Sequence, residues 1–239
     1  MFHRIEGLLH NGSLNIYPKS FDDFEIPLPP IEVQKEIVIE LEQYQKIIDG
    51  AKQVVDNYKP VIDIDPNWEM KELESISVIV RGSSPRPQGD PSYFGGNVPR
   101  LMIADITRDG MYVVPTIDSL TELGATKSRP MKKGEVVMAV SGNPGLTSIL
   151  GVDCCIHDGF VGFRNLSKDV IPEFLHYILT SMKESTNNQA VGAVFRNLTT
   201  DQLKSFLIPI PAIEIQQSIV YEIERERQII EGNKKLIEI

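Results

Sequence analysis

The segment FEIPLPPIEVQKEIVIELEQYQKIIDGAKQVVD, beginning at Phe24, returns as FLIPIPAIEIQQSIVYEIERERQIIEGNKKLIE from Phe206. The offset is a constant 182 residues without a gap, and 15 positions are identical, among them Phe24/Phe206, Pro27/Pro209, Pro29/Pro211, Glu32/Glu214, Gln34/Gln216, Ile48/Ile230 and Gly50/Gly232. Weaker likeness starts earlier, where Asn15-Ile16 answers Asn197-Leu198. No other feature constrains the fold as strongly. A period of 182 residues is too long for a solenoid, so each unit is read as a full domain plus a connector.

Both copies read the same way physically. The Ile-Pro-x-Pro stretch is extended, because proline fixes its own φ and restricts the residue before it. A long helical pattern follows Pro30, and again Ala212. Ile37, Leu41, Tyr44, Ile48, Ala51, Val55 and Tyr58 alternate spacings of four and three, which is the seam of a coiled coil. The second copy keeps Ile219, Ile223, Ile230 and Ile237 but places Glu226 and Asn233 on the seam. A helix from Glu32 to Tyr58 would be about 40 Å long at ~1.5 Å per residue. Two such helices packed antiparallel make a rod that can set the spacing of whatever it carries. Gly50 and Gly232 sit mid-helix, where they mark either a close helix–helix approach or tolerated exposed positions.

Between the repeats the chain changes character. Lys59-Pro60 and Asp65-Pro66 close the helix, and Trp68 opens a region of β signals and turns. ISVIV (76–80), PRLMIADI (99–106), YVVP (112–115), EVVMAVSG (135–142) and CIHDGFVGFR (155–164) read as strands. Phe174, Leu175, Ile178, Leu179 and Met182 form the apolar stripe of a helix over 172–183, and TTDQLKSF reads as a short helix. The expectation is an α+β chain. Residues 1–23 are the tail of an equivalent domain, 24–66 the first conserved segment and spacer helix, 67–205 the central domain, and 206–239 the second segment and helix.

Charge follows that division. The whole chain carries −9 at pH 7, which by itself argues against a nucleic-acid partner. Residues 67–205 hold 14 basic and 15 acidic side chains, a net of −1, so the remaining −8 lies in the helices and tails. A near-neutral central domain can bear one basic face. No apolar run approaches the ~20 residues of a membrane span. The N-terminal residues lack the pattern of a secretory signal. Cys154 and Cys155 are adjacent, which is no disulfide framework and fits a reducing cytoplasm.

Catalytic constellations are weak. Asn143-Pro144-Gly145 lacks the second proline and aromatic of an adenine methyltransferase motif, and there is no Gly-x-Gly-x-x-Gly. Glu69-Met70-Lys71 with Asp63 or Asp65 matches a nuclease pattern only loosely, since so short a pattern arises often by chance. Ser141 or Ser148 with His157 and Asp158 lacks a nucleophile elbow, and His157 reads more simply as a strand-end polar residue. His3, His10, His157 and His176 have no metal-ligand spacing.

Residues suited to DNA are easier to find. The loop RGSSPRPQGDPSYFGGN (81–97) combines Arg81, Ser83, Ser84, Arg86, Gln88 and Tyr93 with permissive glycines. Lys127, Ser128, Arg129, Lys132 and Lys133 form the most basic stretch, suited to phosphates or to a solvated turn. Ser141 and Asn143 precede a Gly/Pro turn, and Arg196 with Asn197 forms a third candidate.

The order of these parts resembles the specificity subunit of type I restriction–modification systems. FEIPLPPIEVQKEIV and FLIPIPAIEIQQSIV look like that family's two conserved segments. NWEMKELESISVIVRGSSPRPQGDPSYFGGNVPRLMIADIT looks like the opening of a target recognition domain. GEVVMAVSGNPG and AVFRNLTTDQLKSFLIPIP look like its later landmarks. The resemblance implies a non-catalytic subunit in which two recognition domains, joined by antiparallel helices, each read half of a bipartite site in double-stranded DNA. It implies methyltransferase (modification) subunits docked on the helices and, through them, a restriction subunit. S-adenosylmethionine, ATP and Mg are then expected in those partners, with no cofactor or metal in this chain. One complete domain here departs from the pattern of two, which fits a natural half-size subunit, a truncated product or a fragment; a half-size subunit would restore the pattern as a homodimer. The alternative is a coiled-coil interaction protein whose β-rich domain binds protein instead of nucleic acid.

Overall fold

The computed structural model describes residues 27–184 and 199–238. The tail 1–23, Arg196 and Asn197 lie outside them. The two copies of the repeat form the longest helices, α1 (Ile31–Asn57) and, at the other end of the chain, α7 (Ile213–Ile237). With 27 residues α1 is about 40 Å long. The helices pack antiparallel. Tyr58, one residue beyond α1, donates its hydroxyl to Glu226 in the middle of α7 at 3.1 Å. Four residues later Ile62 joins the domain core to which Ile223, earlier in α7, also belongs.

The overlap is staggered, and this corrects the expected full-length seam. Ala51 and Ile230 are buried, and Ile48, Val55 and Ile237 half-buried, where the C-terminal halves meet. Ile37, Leu41 and Tyr44 are instead 45%, 60% and 55% exposed. Ile223 belongs to the core of the central domain, and Ile219 packs against it. A heptad stripe fixes which face of a helix is apolar but leaves open what covers it along its length. The glycines are not points of close approach, because a Cβ at Gly50 or Gly232 would meet nothing within 4 Å.

The domain between the helices contains β1 (Glu69–Glu72), α2 (Leu73–Ile76), β2 (Val78–Arg81), β3 (Phe94–Leu101), α3 (Ile103–Asp109), β4 (Tyr112–Val113), β5 (Asp118–Leu120), α4 (Glu122–Thr126) and β6 (Arg129–Met131). It continues through β7 (Val136–Ala139), β8 (Thr147–Leu150), β9 (Cys154–Ile156), β10 (Phe160–Arg164), α5 (Pro172–Glu184), α6 (Thr200–Lys204) and β11 (Leu207–Ile210). One sheet has the order β2-β10-β7-β8-β4 and a second β5-β3-β9-β6. The second Ile-Pro-x-Pro segment is β11, which pairs antiparallel with β1 from Glu69↔Ile210 to Glu72↔Leu207. That ribbon fastens the start of the domain to the root of α7.

Two apolar layers flank the five-stranded sheet, and alternate residues of β7 feed them. Val136 and Met138 join the layer under α5, with Phe174, Leu175 and Ile178. Val137 and Ala139 join the layer between the sheets, with Leu101, Ile156 and Phe160. A strand buried on both faces reads as a continuous apolar run, which is what EVVMAV is.

Two expected strands are broken. PRLMIADI ends as a strand at Leu101 and continues as α3. The cause is Asp105, fully buried, whose carboxylate accepts from the backbone N–H of Met102 (3.0 Å) and Thr116 (3.0 Å). It caps a helix start and holds the return chain together. CIHDGFVGFR is β9 and β10 separated by a turn at His157–Gly159, closed by the Phe160 N–H on the His157 carbonyl at 2.9 Å.

Candidate nucleic-acid interface

That turn is the hub of a polar cluster. The loop leaving β2 is stitched to it by the N–H of Gly82 on the Phe160 carbonyl (2.9 Å) and of Ser83 on the Ile156 carbonyl (3.1 Å). Position 82 has to be glycine, since a Cβ would lie 1.9 Å from the His157 carbonyl oxygen. The link from α4 to β6 closes from the other side. Ser128 donates its hydroxyl to the Ser83 carbonyl at 2.7 Å, and Ser83 donates to the Lys127 carbonyl at 3.3 Å. Three segments distant in sequence thus meet at one edge of the two sheets.

Asp158 organises the side chains. Its carboxylate accepts from the Ser84 hydroxyl at 2.7 Å and faces Arg86 at 3.6 Å. The Ser84 hydrogen bond holds this carboxyl below the usual range. Its main-chain carbonyl accepts from Arg81 Nε at 2.9 Å. The Arg81 carbonyl in turn accepts from Arg129 Nε at 3.0 Å. Beneath them lies Arg100, 6% exposed, which pairs with Asp118 at 2.5 Å and donates to Ser84 at 3.0 Å. The loop is therefore braced from below by a partly buried ion pair.

The candidates divide. Arg81, Ser83, Ser84, Arg86, Lys127 and Arg129 come together. Arg81, Lys127 and Arg129 are exposed and, among the described residues, face no carboxylate within ion-pair distance. Ser141 and Asn143 lie on a neighbouring exposed turn, tied in by the Ser141 N–H on the Gly159 carbonyl at 3.3 Å. Asn143 accepts from Lys183 of α5 at 2.8 Å. Gln88 is exposed farther along the loop, and Tyr93 is half-buried with its carbonyl taken by the Thr121 N–H at 2.9 Å. Lys132 stands apart. β6 and β9 run antiparallel with Arg129 opposite Ile156 and Met131 opposite Cys154, so Lys132 is at the far end, paired with Asp153 at 2.7 Å. The basic stretch is split by a strand running through it. Arg100 carries no advance signal, and Asp158 reads in sequence only as part of a weak catalytic constellation; both join the cluster through strand pairing, with Ser128 of the basic stretch.

The profile of the type I restriction modification DNA specificity domain matches residues 66–239. The chain belongs to that family. Among curated proteins it is 27% identical over 183 residues to the type I restriction enzyme MjaIX specificity subunit of Methanocaldococcus jannaschii, covering 74% of this chain and 41% of the relative. The MjaVIII specificity subunit of the same organism is 21% identical over 259 residues, covering 94% and 60%. The chain thus spans about half the length of such relatives. In fold it resembles the HsdS subunit from Thermoanaerobacter tengcongensis, with a TM-score of 0.57 and 20% identity over 86% of this chain and 49% of that one. It also resembles a chain from a structural study of complex assembly and conformational transition in the type I restriction–modification system, with a TM-score of 0.57 and 21% identity over 89% and 56%. These two likenesses are likenesses of fold, consistent with an α+β chain whose long helices pack together. Among the described residues no helix is long and apolar enough to cross a membrane.

Proposed function

We propose that this specificity-family chain reads one half of a bipartite site in double-stranded DNA and performs no catalysis itself. The observation that carries this is the convergence of Arg81, Lys127 and Arg129, without neutralising carboxylates among the described residues, on one edge of a domain whose net charge is −1. An exposed cationic edge in a near-neutral domain grips phosphate locally without making the whole domain bind indiscriminately. Ser141 and Asn143 border the same edge; Arg196 and Asn197 are proposed contacts outside the described residues.

The helices are the proposed docking site for methyltransferase subunits and, through them, a restriction subunit. The exposed apolar residues Ile37, Leu41 and Tyr44 of α1 support this. S-adenosylmethionine, ATP and Mg belong to those partners in this reading, which places the complex in the cytoplasm; a homodimer would bring two recognition domains together.

The test is selection from a random duplex library by the chain assembled with its methyltransferase subunit. A defined half-site should emerge, with affinity falling steeply as salt rises. Lys127→Ala should weaken all sequences alike and lower the salt slope by about 1. A library that returns unenriched refutes DNA recognition and leaves the protein-binding alternative.

A further inference from the structure

Arg81 and Arg129 are held differently from most other arginines of the domain. Arg86 faces Asp158, Arg100 pairs with Asp118, and Arg108 pairs with Asp105 and Asp109. In Arg81 and Arg129 the anchor is instead a single bond from Nε to a main-chain carbonyl, at 2.9 and 3.0 Å. A guanidinium has five N–H donors in a planar fork. Using Nε leaves both Nη groups, and so two parallel donors at the far edge. A neutral carbonyl acceptor also leaves the full positive charge uncancelled.

The two anchors are nested. Arg129 holds the carbonyl of Arg81, and Arg81 holds the carbonyl of Asp158, which sits on the rigid turn between β9 and β10. Both side chains are exposed, and Gly82 keeps the backbone beneath them pressed against His157. A fork fixed in this way gives up less rotamer entropy on binding than a free one. Phosphate requires only charge within reach. A fixed planar fork with two free parallel donors matches the O6 and N7 acceptors that guanine shows in the major groove. Lys127 beside them offers a point charge, which suits phosphate.

We propose that Arg81 and Arg129 are specificity-determining residues, each reading the O6/N7 edge of a guanine on neighbouring base pairs, while Lys127 grips the backbone. This rests on the DNA-recognition reading above and names the chemistry of its site.

The assembled complex with its methyltransferase subunit is used for the test. Random-library selection with wild type should yield a half-site containing two guanines, on either strand. Arg81→Lys should lose preference at one and Arg129→Lys at the other, each lowering affinity for the selected site about 10- to 100-fold. Because lysine keeps the charge, the salt slope should barely change. A second arm leaves the protein unaltered, so loop disruption cannot imitate the result. Replacing each of those guanines by 7-deazaguanine removes one acceptor and should weaken wild-type binding roughly 10-fold. Unchanged preference in both lysine variants, or full affinity for the deazaguanine duplexes, overturns the proposal while leaving DNA recognition standing. A wild-type complex with no sequence preference overturns the DNA reading, and this inference with it.

Discussion

Gln216 and Gln34 occupy the same position of the repeat, yet the structure gives them different work. Gln216 is fully buried, and its side-chain amide donates to the carbonyls of Pro211 (2.8 Å) and Asp169 (2.7 Å) and accepts from the Ile171 N–H (3.0 Å). The first bond is local, and the other two rivet α7 to the loop leading into α5. Gln34 makes the equivalent local bond, to the Pro29 carbonyl at 2.7 Å, and is only half-buried. Gln216→Ala removes three hydrogen bonds, one buried and two partly buried, at about 1 kcal/mol each, and leaves an N–H and two carbonyls without this partner, for a loss of about 3–4 kcal/mol. Gln34→Ala removes one partly solvated bond and should cost about 0.5–1 kcal/mol. Urea unfolding followed by the fluorescence of Trp68, the single tryptophan, which packs against the same core, measures both. Equal losses in the two variants, or a loss below about 1 kcal/mol for Gln216→Ala, would refute the argument that domain docking gives this glutamine its weight.

Other consequences can be checked in the same assay. Gly82→Ala forces a Cβ against the His157 carbonyl, so it should destabilise by about 1–3 kcal/mol, whereas Gly50→Ala, with open space around it, should stabilise α1 by up to about 1 kcal/mol. His176 is pushed down from its ordinary 6.5 to about 4, chiefly by burial and then by Arg227. The unfolded chain therefore binds a proton that the folded chain refuses between those values, and stability falls as pH drops through that window. The wild type should lose about 2 kcal/mol from this group between pH 7 and pH 5, and His176→Gln should flatten the pH dependence by that amount.

The repeat determined a great deal by itself. Fifteen identities at one offset require two equivalent helices, and the proline pattern requires extended segments ahead of them. The apolar run of EVVMAVSG announced a strand. Local physics is enough for such features, because helix faces, proline restrictions and strand burial are properties of near neighbours in the chain. What covers each face is not. Ile223 and Leu41 are repeat-equivalent, yet one is 3% exposed within the domain core and the other 60% exposed on α1. In the same way, Lys127 to Lys133 reads as one basic stretch, but strand pairing sends Arg129 to the Asp158 turn and Lys132 to Asp153. Asp158 reads in sequence only as a weak catalytic candidate beside His157, and becomes the centre of the cluster because β9 and β10 fold back beside β2. Sequence sets the pattern of apolar and charged groups along each element. Only the tertiary structure decides which patterns meet, because contacts between distant segments depend on strand register and helix stagger, and neither is encoded within a single element.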